Sequence, residues 1–170
     1  MYKKYAQPLN SRQYLRTLKM MHTTMLIGMI VFTVVVVVMM TSTTIFGESA
    51  DAIHNVMKFV APLVAVATFL GSGVLFKQRI DSVRTSNTTL RFRLEQYRTA
   101  SIMRWAMLEG GVMTSLVGLL LTKNYYYAIF IFLLLVFFFL YAPSSEKIKT
   151  QLELNSADQA ALDDEYADLN

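Results

Sequence analysis

Four apolar blocks separated by short polar segments set the plan of the chain. The first, residues 20–46, has no charge apart from His22 and includes an unbroken valine run at 34–38. β-Branched residues weaken helices in water, but a lone strand in lipid leaves its backbone unpaired, so a helix is expected. The second block, 56–76, holds Lys58 near its start, Pro62 in its first half and Gly71-Ser72-Gly73 near its end. Pro62 removes one intrahelical hydrogen bond and predicts a bend, and the small residues predict close helix approach. The third block, 98–122, carries Arg104 and Glu109 inside its apolar run. The fourth, 125–142, has neither charge nor glycine; apolar on every side, it is expected to lie outermost, facing lipid.

The polar segments predict where these helices begin and end. Ser11 is the expected cap of the first, followed by Arg12, Arg16 and Lys19 on one side. Residues 47–55 read as a short acidic loop without Lys or Arg. Residues 77–96 are basic, and the polar run 86–89 divides an extension of the second helix from the lead into the third. Lys123-Asn124 leaves room only for a tight turn, so the third and fourth helices should form an antiparallel hairpin. Pro143 stops the fourth. In the tail, 143–170, Ile148, Leu152 and Leu154 make a small apolar face beside Lys147 and Lys149. Ser156 to Gln159 reads as a capping box opening a short amphipathic, acidic helix with Leu162, Tyr166 and Leu169 on one side. That acidic end has two open readings, one against the basic loop at 77–93 and one as a solvated terminus.

Composition turns this pattern into a class. With 54% hydrophobic residues in 170, gathered into blocks, the chain is too apolar for an ordinary soluble domain of this size. The expectation is an all-α integral membrane bundle: a four-helix transmembrane domain over 1–142 and a tail over 143–170. The first block is too long for a signal-peptide core and no A-x-A-like site follows it, so it reads as a retained span. The net charge of +4 does not imply nucleic acid, because the basic residues flank apolar blocks. Placing both termini in the cytoplasm collects fourteen of the sixteen Lys and Arg on that side or at its edge, leaving Lys58 and Lys123 outside. There is no cysteine, and His22 and His54 lie in separate segments, so neither a metal site nor a cofactor is expected.

Candidate chemistry centres on Glu109. It lies eleven residues from Arg98, roughly 16 Å along a helix at 1.5 Å per residue, near the middle of a ~30 Å hydrocarbon layer. An ionised carboxylate there costs a few kcal/mol and must be paired, protonated or wet. Arg104, five residues away and about 140° round the helix, is a poor partner. Lys58 is a candidate partner if the second and third helices pack, and Thr68, Ser72 and Thr33 are neutral hydrogen-bonding candidates. Arg104, only about 9 Å deep, reads as a snorkelling anchor beside Trp105. Tyr125, Tyr126, Tyr127 and Tyr141 read as aromatic belts at the two interfaces. Gly110-Gly111 suits tight packing.

Arg98-Thr99-Ala100 through Ala106, with Glu109-Gly110 and the apolar run that follows, resembles the carboxylate-bearing helix of rotary ATP synthase subunit c. That resemblance implies an ion-carrying role for Glu109. It is local, since the glycine-rich second helix of that family has no counterpart here. Over most of its length the chain resembles small four-helix bacterial inner-membrane proteins without an assigned function, in the R-W-A-x-x-E-G of Arg104 to Gly110 and the P-S-x-E-K-I of Pro143 to Ile148. This second resemblance implies a bacterial inner-membrane location.

No nucleophile–base pair, phosphate-cradling loop or second intramembrane acid is present, so an enzyme is not expected and no catalytic residue is assigned. Two functions remain: a non-enzymatic accessory or scaffold subunit of a membrane complex, or a small transporter or ion-conducting protein using Glu109 for a proton or Na⁺. The expected partners are membrane lipids, including anionic headgroups, and either further copies of the chain or other membrane subunits.

Overall fold

The computed structural model describes residues 10–42, 50–84 and 88–164. They form six helices: α1 (Ser11–Ser42), α2 (Ala50–Arg84), α3 (Leu90–Thr122), α4 (Tyr126–Leu140), α5 (Ser145–Leu152) and α6 (Ser156–Asp163). No strand occurs among the described residues. α1, α2 and α3 are each long and apolar enough to cross a membrane. α4 passes the same test only together with α5, from which it is bent by 83°. The chain therefore has the helices of a membrane protein.

α3 is the centre of the assembly. It packs along α2 and α4, and also receives α1 and α5. Its buried positions Leu94, Tyr97, Ser101, Trp105, Leu108, Val112, Ser115 and Leu119 recur at spacings of three or four, the seam of helices crossing at a shallow angle. α4 answers with Tyr127, Ile131, Leu134 and Phe138, while its other sides, including Phe132 and Phe139, stay exposed. α1 leans mainly on α3, and its positions Tyr14, Leu18, His22, Met29, Val36 and Met40 are buried.

The helix expected to be outermost was the fourth, but the least enclosed is α1. Only 17% of its most apolar stretch is buried, against 44% for α3, and most of its valine run is exposed. Lipid and protein interior are equally good solvents for valine, so hydropathy alone does not rank helices by burial.

Other boundaries also moved. α2 starts at Ala50, so residues 50–55 of the expected acidic loop are helical, and α2 runs unbroken through Pro62. The break between α2 and α3 falls where expected, with Thr89 capping α3 by accepting the Phe92 N–H. The α3–α4 turn depends on Lys123 in the left-handed region (φ 52°) and on Asn124 Oδ1, which accepts from the Tyr126 N–H at 2.9 Å. Asn10 caps α1 in place of Ser11, accepting the Gln13 N–H at 2.9 Å; the Ser11 hydroxyl instead donates to the Leu162 carbonyl of α6. Asn155, one residue before the expected capping box, caps α6. Residues 1–9, the end of the first block at 43–46, and Tyr166 and Leu169 lie outside the described residues.

Of the two readings of the acidic end, the docked one describes the chain as far as residue 164. Ile148, Leu152, Leu154 and Leu162 are buried. Arg84 pairs with Glu153 at 3.1 Å and donates to the Gln151 carbonyl, while Arg93 pairs with Asp158 at 3.3 Å and donates to the Leu152 carbonyl. Lys149 lies between Glu146 at 2.9 Å and Asp163 at 2.6 Å.

Candidate functional site

The sequence points to one charged locus on α3, and the structure divides it in two. Arg104 and Glu109 lie on different sides of the helix and are treated in opposite ways.

Glu109 is half-buried and has no hydrogen-bond or ion-pair partner among the described residues. It sits thirteen residues from the end of α3, roughly 20 Å of helix, deep in the apolar stretch. It borders an outward strip of α3 formed by Met103, Ala106, Gly110 and Val117, all exposed. A Cβ added at Gly110 meets nothing within 4 Å, whereas one added at Gly111 would sit 2.5 Å from Thr68 Oγ1 and 2.9 Å from Leu134 Cδ1. The two adjacent glycines thus do different things. Gly111 lets α2 and α4 approach α3, and Gly110 leaves a shallow open place beside the carboxyl.

The residues expected to serve Glu109 are engaged elsewhere. Lys58 Nζ donates to Asn55 Oδ1 at 2.9 Å and lies over the Phe59 ring. Thr68 donates to the Ala65 carbonyl, Ser72 to Phe69 and Thr33 to Met29, each within its own helix. The structure therefore does not bring Lys58, Thr68 and Ser72 together with Glu109 as a polar cluster.

Arg104 is held face to face between aromatic rings, with Phe76 at 3.9 Å and Tyr141 at 4.0 Å from its guanidinium carbon. Each ring face carries negative quadrupole density and attracts the cation, and desolvation strengthens that attraction. Its Nε is buried without a hydrogen-bond partner. Beside it is a cavity of about 250 Å³ lined by Phe76, Tyr97, Ser101, Trp105, Tyr141 and Lys147, among others. Lys147 reaches the cavity from α5, where its ammonium also donates to the Leu140 and Ala142 carbonyls at 2.9 Å, closing the end of α4. The bend after Pro143 puts it there. The Tyr97 hydroxyl donates to Gln151 Oε1 at 2.8 Å.

Two residues expected at the membrane interface, Trp105 beside the Arg104 anchor and the belt residue Tyr127, are buried in the bundle. Trp105 is 1% exposed and packs edge-on to His22 and against Phe138. Tyr127 is fully buried, its ring against Gly118 and its hydroxyl hydrogen-bonded to His54 Nδ1 at 3.0 Å. Tyr125 and Tyr126 are exposed, at the opposite end of α4 from Tyr141. Sequence reasoning missed His22, which is buried, stacked on Phe138, and donates from Nε2 to its carbonyl at 3.0 Å. A histidine on the seam of α1, four residues after Leu18 and seven before Met29, was the available signal. It also missed Phe76, Tyr97 and Lys147 as a group, since they come from three helices and no local pattern links them.

No protein-family model, curated protein or solved structure matches this chain.

Proposed function

We propose that the chain is a non-enzymatic inner-membrane protein of four spans with both termini cytoplasmic, an accessory or scaffold subunit that docks a partner helix on the α3 face carrying Glu109. α4 supplies the fourth span, and α5 turns along the cytoplasmic surface. The observation that carries the reading is the lack of any partner for Glu109 among the described residues. A carboxyl deep in an apolar helix costs about 3 kcal/mol on insertion scales, and a polar group from a neighbouring subunit offsets that cost. The open place at Gly110 gives such a helix room for close approach.

Free exchange of a proton or Na⁺ at the same carboxyl is the second reading. It is favoured by the absence of a fixed counter-charge, which leaves the group able to bind and release an ion. One experiment separates the two: Glu109→Gln and Glu109→Leu, assayed for assembly in mild detergent and for ion flux in proteoliposomes. The subunit reading expects Gln to keep the assembly and Leu to lose it, without measurable flux in any form. Assembly unchanged by Leu would overturn it, and wild-type flux abolished by Gln would establish the transport reading.

A further inference from the structure

The cavity between α2, α3, α4 and α5 is distinct from the Glu109 face, and the proposal about Glu109 makes no use of it. Its walls combine two cations, three hydroxyl-bearing side chains and apolar ring surface. Arg104 and Lys147 both contribute to it, and no acidic residue does. Neither cation has a carboxylate partner among the described residues. The Arg104 guanidinium has five N–H donors in a planar fork, yet it makes no hydrogen bond there, the rings covering only its faces. Lys147 spends two of its three donors on carbonyls and has one left. Ser101 and Tyr97 line the same space. The buried Arg104 Nε is costly without an acceptor, and two cations at one cavity without a carboxylate partner among the described residues favour an anionic ligand.

Size and place narrow the chemistry. About 250 Å³ is the liquid volume of roughly eight waters at ~30 Å³ each, enough for a phosphate with a small ester substituent. The cavity lies where α4 ends and α5 begins, which is headgroup depth in the four-span arrangement proposed above. A guanidinium gripped on both faces is pre-oriented, so its edge can meet two oxygens of one tetrahedral anion.

We infer that the Arg104–Lys147 cavity is a binding site for a phosphate ester of net negative charge, with Arg104 as the bidentate ligand and Lys147 and Ser101 completing the cradle. An anionic phospholipid headgroup and a soluble phosphate ester share this chemistry.

Trp105 is the sole tryptophan of the chain and lines the cavity, so its fluorescence reports occupancy directly. The full-length protein in neutral detergent is titrated with short-chain phosphatidylglycerol, short-chain phosphatidylcholine and glycerol phosphate, and bound lipid is counted by native mass spectrometry. Wild type is expected to give a saturable fluorescence change with one phosphatidylglycerol bound, and a response to phosphatidylcholine at least tenfold weaker. Arg104→Gln and Lys147→Gln each weaken binding roughly tenfold, the loss of one charge-assisted contact. Lys77→Gln, an exposed lysine at the same end, leaves it unchanged. Saturation by glycerol phosphate in competition with the lipid identifies a soluble source, and failure to compete identifies the headgroup; either supports the site. Lys147 is exposed, so its variant carries the test if Arg104→Gln does not fold. Equal binding by Lys147→Gln and wild type overturns the inference, as does an equal loss in Lys77→Gln.

Discussion

Arg104 and Glu109 stand five residues apart on one helix, and the bundle has solved one of them and left the other. The cation is clamped by two rings, whose faces attract positive charge and whose edges pack like any other hydrocarbon. That solution is closed to the anion, because the same ring faces repel negative charge. In an interior built almost entirely from aliphatic and aromatic side chains, a guanidinium can be accommodated from within. A carboxylate needs an N–H or O–H donor, and every hydroxyl expected to serve Glu109 is bonded to its own helix. The asymmetry makes Arg104 part of the fold and leaves Glu109 without a partner among the described residues.

Removing the two charges should therefore act with opposite sign on the isolated chain. Glu109→Leu is expected to stabilise the monomer by up to about 3 kcal/mol, the insertion cost of the charge, even as it removes the partner contact. Arg104→Leu should destabilise it by about 1–2 kcal/mol through loss of both ring contacts. Unfolding in mixed micelles, monitored by circular dichroism, measures both; destabilisation by Glu109→Leu would mean that the carboxyl is satisfied inside the chain. The clamp can be dissected further. Phe76→Leu keeps most of the volume and removes only the ring face, so it should cost less than Phe76→Ala, which also opens a cavity.

The next effect down sharpens the Glu109 side. Gly111→Ala places a methyl 2.5 Å from Thr68 Oγ1 and should destabilise the monomer by about 1–3 kcal/mol. Gly110→Ala meets nothing and should leave the monomer's stability within about 0.5 kcal/mol. If a helix docks there, Gly110→Leu separates the subunits in detergent while the monomer stays folded. Size-exclusion chromatography with light scattering reads the difference, and an unchanged oligomer for Gly110→Leu would place the partner elsewhere.

How much of this was legible in the sequence follows from what a hydropathy pattern encodes. It records where apolar blocks begin and end, and the three long helices, the break before Thr89, the turn at Lys123-Asn124 and the stop at Pro143 all came from that record. It does not record which apolar surface meets protein and which meets lipid, because both solvents are alike to a valine or a phenylalanine. Hence α1 rather than α4 is the least enclosed helix, and Trp105 and the expected belt residue Tyr127 are buried in the bundle. The caps slipped by one residue because Asn and Ser serve that position equally well. Glu109 stood out because a charge in an apolar run is costly wherever it points. The Arg104 clamp did not, since Phe76 and Tyr141 are ordinary residues until folding brings them 3.9 and 4.0 Å from the guanidinium.

The docked tail extends the comparison to charges outside the apolar blocks, where solvent weakens each pair. Arg93 is the more covered partner, 12% exposed against 25% for Asp158, and it also holds the Leu152 carbonyl. Arg93→Gln should loosen α6 by about 1 kcal/mol, raising the rate of proteolytic cleavage near residue 155 several-fold. Lys149 adds a smaller, pH-dependent part. Hydrogen bonds to Asp163 and then Glu146 raise its pKa above the usual lysine value of 10.5. Because the folded pKa is the higher one, this contribution is fully present below 10.5 and fades as pH rises through the raised value. Cleavage should therefore be flat across neutral pH and accelerate only in strong alkali, and Lys149→Gln should remove that alkaline increment while leaving the neutral rate nearly unchanged. An acceleration that persists in Lys149→Gln would shift the alkaline sensitivity to another group.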